Sequence, residues 1–315
     1  MTNDIKVLNG LVAISPDITI WSGKRKMQAE DYGLNRNELP PAEISDLGAK
    51  KLCPPEKMRI FLALKARCVT LLDRHGIKFI ASSWLVPKDK VKDIVDELET
   101  IKLEFQKEKA LFLADYSAIV QDWIARHPQW ETMLANSVPS VDYVSSKLLF
   151  GWKSFRFSIA KDSNIAEDVA KLADSVFADI ARQAAEAYRD VFADRTQLTQ
   201  RSLGPLRVME TKLAGLQFIE PRVAQAAQLI RTALDEAPDK GPIQGNDLSR
   251  LLGLVCLLRD AEALEDYTTR MMDGQSASGL LAGLSAPVGV SESVPAMPIG
   301  VTMRQSAVIA SQGLW

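Results

Sequence analysis

Residue types able to do acid–base, nucleophilic or metal chemistry are sparse in this chain of 315 residues, which holds two histidines and three cysteines. His75 precedes Gly76 and His127 precedes Pro128, so both read as helix-boundary residues, where a helix C-terminus favours an imidazolium, rather than as catalytic bases. Cys53, Cys68 and Cys256 are widely spaced and odd in number, the pattern of reduced thiols in a cytoplasmic protein rather than of a disulfide framework. No G-x-x-x-x-G-K-S/T loop, G-x-G-x-x-G turn, C-x-x-C pair or H-E-x-x-H helix occurs, which removes the usual warrants for nucleotide-loop and zinc chemistry. Gly274-Gln-Ser276-Ala-Ser278 approaches the G-x-S-x-G nucleophile elbow but has serine at the second glycine position and lacks a preceding strand. Gly279-Leu-Leu-Ala-Gly283 matches G-x-x-x-G, which outside a membrane helix reads better as a flexible hinge. No catalytic residue, metal ligand or cofactor is assigned, and a non-enzymatic protein is expected.

Binding chemistry is better represented. Lys24-Arg25-Lys26 comes after Trp21 and a Ser22-Gly23 turn, a basic triplet that reads first as a solvated turn and second as a contact for phosphate or an acidic partner. Trp152-Lys153-Ser-Phe155-Arg156-Phe157 loosely resembles the basic-aromatic strand of an RNA-recognition motif but lacks its glycine and closing aromatic. On a strand, Phe155, Phe157 and Ile159 share one face, so core packing accounts for them before base stacking does. Lys24, Arg25, Lys26, Lys153 and Arg156 are therefore the candidate nucleic-acid or acidic-partner contacts. With a net charge of -2, binding of this kind must be local rather than driven by bulk charge.

The elements that must position these residues are mostly helical. Ile18 and Ile20 flank Thr19 as a short strand over 17–21, and Phe79 to Val86 reads as a second strand stopped by Pro87. A helix is predicted from Glu56 to His75, with Phe61, Leu64, Cys68 and Leu71 on one stripe and Gly76 at C′. The longest stripe runs Val91, Ile94, Leu98, Ile101, Phe105, Phe112, Tyr116, Ile119 and Trp123, about nine turns, which suggests a long antiparallel hairpin arm or a coiled-coil strand. Phe155, Phe157 and Ile159 make a third strand. Further stripes run from Ile165 to Val191, from Leu203 to Leu216 and from Pro221 to Asp235, with a last helix from Asn246 or Asp247 to Tyr267. The fold class is mainly α with a small β-sheet, with expected divisions at 1–87, 88–162, 163–273 and 274–315.

The last of these divisions is a composition anomaly. Charged residues make up 25% of the chain, yet from Gly274 to Trp315 only Glu292 and Arg304 are charged. Such a segment suits lying on another surface as an extended tail. Ile299, Val301 and Met303 alternate as a strand would, and Ile309, Leu314 and Trp315 continue the apolar character, so these six are the candidate self-assembly residues. No run of about 18 apolar residues and no basic start with an apolar h-region are present, so no membrane association is expected and the location is read as cytoplasmic.

Several short motifs, taken in order, carry a resemblance. Trp21-Ser-Gly-Lys-Arg-Lys-Met, Glu30-Asp31, Leu47-Gly48, Gly76 through Phe79 to Trp84-Leu-Val-Pro87, the Phe105, Tyr116 and Trp123 to Trp130 stretch, Leu213-Ala-Gly-Leu-Gln-Phe-Ile-Glu-Pro221 and Gly241-Pro-Ile-Gln-Gly245 together resemble the domain-of-unknown-function 3150 family over about residues 5 to 260. The resemblance implies a context rather than a chemistry: a mobile-element protein encoded beside a MoxR/CobS-like AAA+ ATPase and a von Willebrand factor A protein. The expected function is a structural or interaction protein that assembles with itself into a ring, tube or filament. An adaptor or substrate of the ATPase and a nucleic-acid-binding accessory factor are the alternatives.

Overall fold

The computed structural model describes residues 8–34, 47–156 and 171–284. Its strands are β1 (Leu11–Thr19), β2 (Lys24–Lys26), β3 (Ala49–Lys51), β4 (Ile77–Phe79), β5 (Ser83–Pro87) and β6 (Leu149–Phe155). Four of them form an antiparallel sheet of order β4-β5-β1-β6 between two helical layers, while β2 and β3 pair separately. β1 starts Leu-Val-Ala-Ile, all four buried, because both of its faces are covered and the usual polar alternation is not required. Val12 and Ile14, with Trp84 and Val86 of β5, face one core. Leu11 and Ala13, with Ile77 and Leu85, face the other.

The first layer is α1 (Glu56–His75) and α2 (Val91–Ala125). α1 has the predicted limits, and its stripe of Phe61, Leu64, Cys68 and Leu71 is buried. α2 runs antiparallel to α1, with Phe61 meeting Phe105 and Phe112 edge-on at 5.1 and 5.9 Å and Arg67 meeting Glu104 at 2.7 Å. The long apolar stripe thus has its packing partner within the same chain. Near its end the buried residue is Val120, while Ile119 and Trp123 are half-buried.

Gly76 ends α1 with extended backbone (φ -138°), not the left-handed conformation expected at C′. Close approach is what demands glycine there: a Cβ would lie 2.7 Å from both the Leu85 carbonyl oxygen and Val86 Cγ1. The single strand expected over 79–86 is two, β4 and β5, separated by a 3-10 turn at Ile80–Ser82. β6 begins earlier than expected, because its register against β1 pairs Leu149 with Thr19 and Phe155 with Ala13. In consequence Phe150 and Trp152 touch the core, and Phe155 is on the opposite face.

Two short helices, α3 (Glu131–Ala135) and α4 (Val141–Ser146), lead from α2 to β6. The second layer is α5 (Leu172–Ala187), α6 (Gly204–Leu216), α7 (Pro221–Asp235), α8 (Gly245–Leu258), α9 (Ala261–Met272) and α10 (Ala277–Leu284). Ala184 and Ala187 are buried on α5, where small side chains permit close helix approach. The helix expected to run unbroken to Tyr267 is interrupted at Arg259-Asp260, since Asp260 caps α9 by accepting from the Ala263 N–H at 3.1 Å.

Residues 277–284 correct both the hinge and the extended-tail readings for that stretch. They form α10, started by the Ser276 hydroxyl accepting from the Gly279 N–H at 3.2 Å and held by buried Leu280 and Leu281. Ser276 accordingly caps α10 and follows α9 rather than the strand that a nucleophile elbow requires. Ile299, Val301, Met303, Ile309, Leu314 and Trp315 lie outside the described residues, as do Phe157 and Ile159.

Candidate functional site

The basic triplet is a strand, not a solvated turn. Trp21 is buried against Tyr116 (5.9 Å between rings) and Phe112 (6.4 Å), which anchors the chain as it leaves β1. Gly23 then turns with φ +67°, and a Cβ there would stand 3.0 Å from Cys53 Sγ, so both backbone and space require glycine. From this turn the chain enters β2, which pairs antiparallel with β3. Backbone bonds from Leu52 N–H to the Gly23 carbonyl (2.8 Å) and from Met27 N–H to the Gly48 carbonyl (3.0 Å) close the two ends. Trp123 Nε1 donates to the Lys51 carbonyl at 3.1 Å and ties the ribbon to α2.

This ribbon collects five cations, Lys24, Arg25, Lys26, Lys50 and Lys51, two of which the triplet alone does not reveal. Arg25 lies opposite Lys50 and Lys24 opposite Lys51, so strand alternation divides them between the two faces. Lys50 is buried and ion-paired with Asp31, and Arg25 donates to the Ser137 carbonyl at 3.2 Å. Burial alone would raise the Asp31 carboxyl, but the Lys50 hydrogen bond, the Gln28 N–H and the neighbouring positive charges outweigh it and hold the group below its usual range. Lys24, Lys26 and Lys51 are exposed. Directly opposed like charges repel, and among the described residues neither Lys24 nor Lys51 makes an ion pair that would relieve this.

Beside the ribbon runs a groove of about 490 Å³ lined by Lys24, Arg25, Ser22, Ser140 and Tyr143 among others, with no carboxylate in its walls. Tyr143 on α4 is half exposed, and Lys147 Nζ stands 5.6 Å from its ring centroid. On the other side of Arg25 and Ser137 a second recess, of about 520 Å³, holds Trp130, also half exposed, together with Glu30, Asp31 and Glu131. Cations thus dominate one recess and mixed charge the other.

Lys153 and Arg156 do not join this site. Lys153 lies on β6 beside Asp17 at 3.8 Å, and Arg156 comes directly after Phe155 at the end of β1 away from the ribbon. Within the basic-aromatic stretch Trp152 is half-buried under Lys102 Nζ (5.1 Å), whereas Phe155 is exposed and does not pack in the core as expected. Both histidines are at helix ends as expected. His127 donates through Nδ1–H to the Trp123 carbonyl, 2.8 Å away. Burial, reinforced by Arg74, pulls the His75 imidazole below its usual value, so the neutral ring is favoured there instead of the dipole-stabilised cation. Burial likewise pushes the Cys53 and Cys68 thiols up to about 11, which keeps both protonated and inert.

A second polar constellation is not recognisable in the sequence. Lys212 of α6 is 2% exposed; its ammonium donates to the Asp73 carbonyl at 2.6 Å and pairs with Asp179 of α5. Asp179 also accepts from Arg182 at 2.7 Å and Gln183 at 2.8 Å, while the Asp73 carboxylate accepts from Trp84 Nε1 at 2.8 Å. These bonds join α1 to α5 and α6 beside a cleft of about 450 Å³ that Asp73, Arg182, Glu186 and Asp190 help to line. The groups are committed to one another, which suits a cross-layer tie.

The motifs that carried the resemblance meet in space around these features. Trp21, Gly23, Asp31, Gly48, Tyr116 and Trp123 build the ribbon and its support, and Gly76 and Trp84 stand at the junction of sheet and helices. A family model described as "Protein of unknown function (DUF3150)" matches residues 8–260. The chain belongs to this family. In this DUF3150 member the ribbon, the groove and Lys212 all fall within the matched span, whereas α9 and α10 lie beyond it. No curated protein and no solved structure matches the chain. Among the described residues no helix is long and apolar enough to cross a membrane, and no group of three His, Cys, Asp or Glu side chains is placed to hold a metal ion.

Proposed function

We propose that this DUF3150 protein is a non-enzymatic interaction component of the cytoplasm that docks nucleic acid through the β2–β3 ribbon. The observation that supports the reading is the exposed cluster of Lys24, Lys26 and Lys51 on a ribbon braced from behind by Trp21 and Trp123. Lys24 and Lys26 are two strand steps apart, about 6.6 Å, a spacing close to that of successive phosphates in a nucleic-acid strand. Repulsion between the opposed Lys24 and Lys51 is relieved when a polyanion supplies the counter-charge. The cytoplasmic assignment is supported by three free cysteines, two of them buried. An acidic face of a protein such as the AAA+ ATPase or the von Willebrand factor A partner would meet the same chemistry.

Retention on DNA and on heparin, measured against salt, tests this function. The Lys24→Glu/Lys26→Glu/Lys51→Glu variant is expected to lose retention, and each phosphate contact removed should flatten the log–log salt slope by about 0.7–0.9. Lys153→Glu/Arg156→Glu, distant from the ribbon, is expected to bind normally. Absence of retention by the unaltered protein at low salt would overturn the reading.

The composition of the C-terminal segment favours a second reading, self-assembly into a ring, tube or filament, with Ile299 to Ile309 adding as a strand to a neighbouring copy. Two charges in the 42 residues from Gly274 to Trp315 leave that segment poorly suited to water.

A further inference from the structure

We infer that the groove beside the ribbon is a single-stranded nucleic-acid site in which a base stacks on Tyr143 while Lys24 holds a flanking phosphate. The inference rests on the proposed function and narrows its ligand. Three observations carry it. The groove walls contain cations, hydroxyls and an aromatic ring but no carboxylate, so a phosphate entering it meets no like charge. Tyr143 is 50% exposed although its neighbour on α4, Val144, is fully buried, so α4 is firmly seated and holds the ring at the groove edge. Lys147 Nζ, 5.6 Å from that ring's centroid, adds positive charge beside it.

Trp130 provides a second half-exposed ring across Arg25, in the recess that also contains Glu30 and Glu131. Those carboxylates disfavour a phosphate there but accept hydrogen bonds from the amino groups of bases. A cationic track flanked by aromatic faces is how single strands are held without sequence preference. A duplex is served less well, because its bases are already stacked and must be unstacked before either ring can receive one.

The test compares an oligothymidine strand, the same length of duplex DNA, heparin and polyglutamate as fluorescent or competing ligands of the full chain. The single strand is expected to bind tighter than duplex. Tyr143→Ala should weaken single-strand binding about 10-fold, within the range for one lost stacking contact, and leave heparin binding unchanged, while Tyr143→Phe should restore it. Equal binding of single strand and duplex, both insensitive to Tyr143→Ala, would sink the inference and leave the ribbon's polyanion function intact. Loss of all binding only in the ribbon charge-reversal variant supports the function, and no binding by the unaltered protein removes both. Preference for polyglutamate would assign the groove to an acidic protein instead. Circular dichroism of each variant checks that α4 remains folded.

Discussion

Lys212 shows how one side chain can tie two layers. Its ammonium is enclosed, with Asp179 and the Asp73 carbonyl as partners, and burial pulls it below the usual lysine range despite the attraction of Asp179. Asp179 is less enclosed; burial alone would raise it, but the Lys212 charge and the Arg182 hydrogen bond outweigh that and hold its carboxyl below the ordinary value of 3.8. Removing one partner of a buried pair strands the other charge, whereas exposed pairs such as Lys92–Asp96 contribute little. Lys212→Met is therefore expected to lose about 3 kcal/mol in denaturant unfolding. The Asp179 contribution is fully present above the unfolded-state carboxylate value and is lost as pH falls through the lower folded one. The gap between unaltered protein and Lys212→Met should accordingly narrow below about pH 4, and a gap that widens there would contradict the assignment. In the sequence Lys212 stands beside Leu213 on the stripe of Met209 and Leu216, where a lysine reads as a flank; only the neighbouring layer encloses it.

At the scale of elements, glycines decide where strands and helices can touch. Gly76 lies against the Leu85 carbonyl and Val86, and Gly253 lies with its missing Cβ 2.8 Å from the Leu284 carbonyl oxygen, where α8 meets α10. Gly283, on α10 itself, has open space around it. Gly76→Ala is expected to cost about 1–3 kcal/mol through overpacking, while Gly283→Ala should stabilise by about 0.5–1 kcal/mol through helix propensity. Thermal unfolding of the two variants gives shifts of opposite sign if the packing is as described. Apolar spacing makes α1, α2, α6 and α7 legible, because a helix's periodicity is set by its own residues. The split of 79–86 into two strands and the position of β6 were not legible, because each depends on pairing partners elsewhere in the chain.

For the whole molecule, the described residues, which end at Leu284, form one compact unit, and its boundary sets where a truncation can test self-assembly. Cutting at Gly274 would remove α10, whose Leu280 and Leu281 belong to the second core, and would confuse unfolding with loss of assembly. Deleting residues 285–315 instead spares every described element. If the segment holding Ile299, Val301, Met303, Ile309, Leu314 and Trp315 drives assembly, this truncation should convert large particles to small ones in light scattering with little change in melting temperature. Unchanged particle size would defeat the self-assembly reading without affecting the ribbon.

The amino-acid sequence by itself determined the mainly helical class, the limits of α1, the apolar stripe of α2 and the basic character of residues 24–26, since all of these are properties of neighbours along the chain. Tertiary structure alone decided that Lys50 and Lys51 join the triplet, that Lys153 and Arg156 do not, that Tyr143 borders the cationic groove and that Lys212 is enclosed. The physical reason is the same in each case. Strand register and helix packing bring together residues distant in sequence, and a charge or ring takes its role from what that packing leaves beside it.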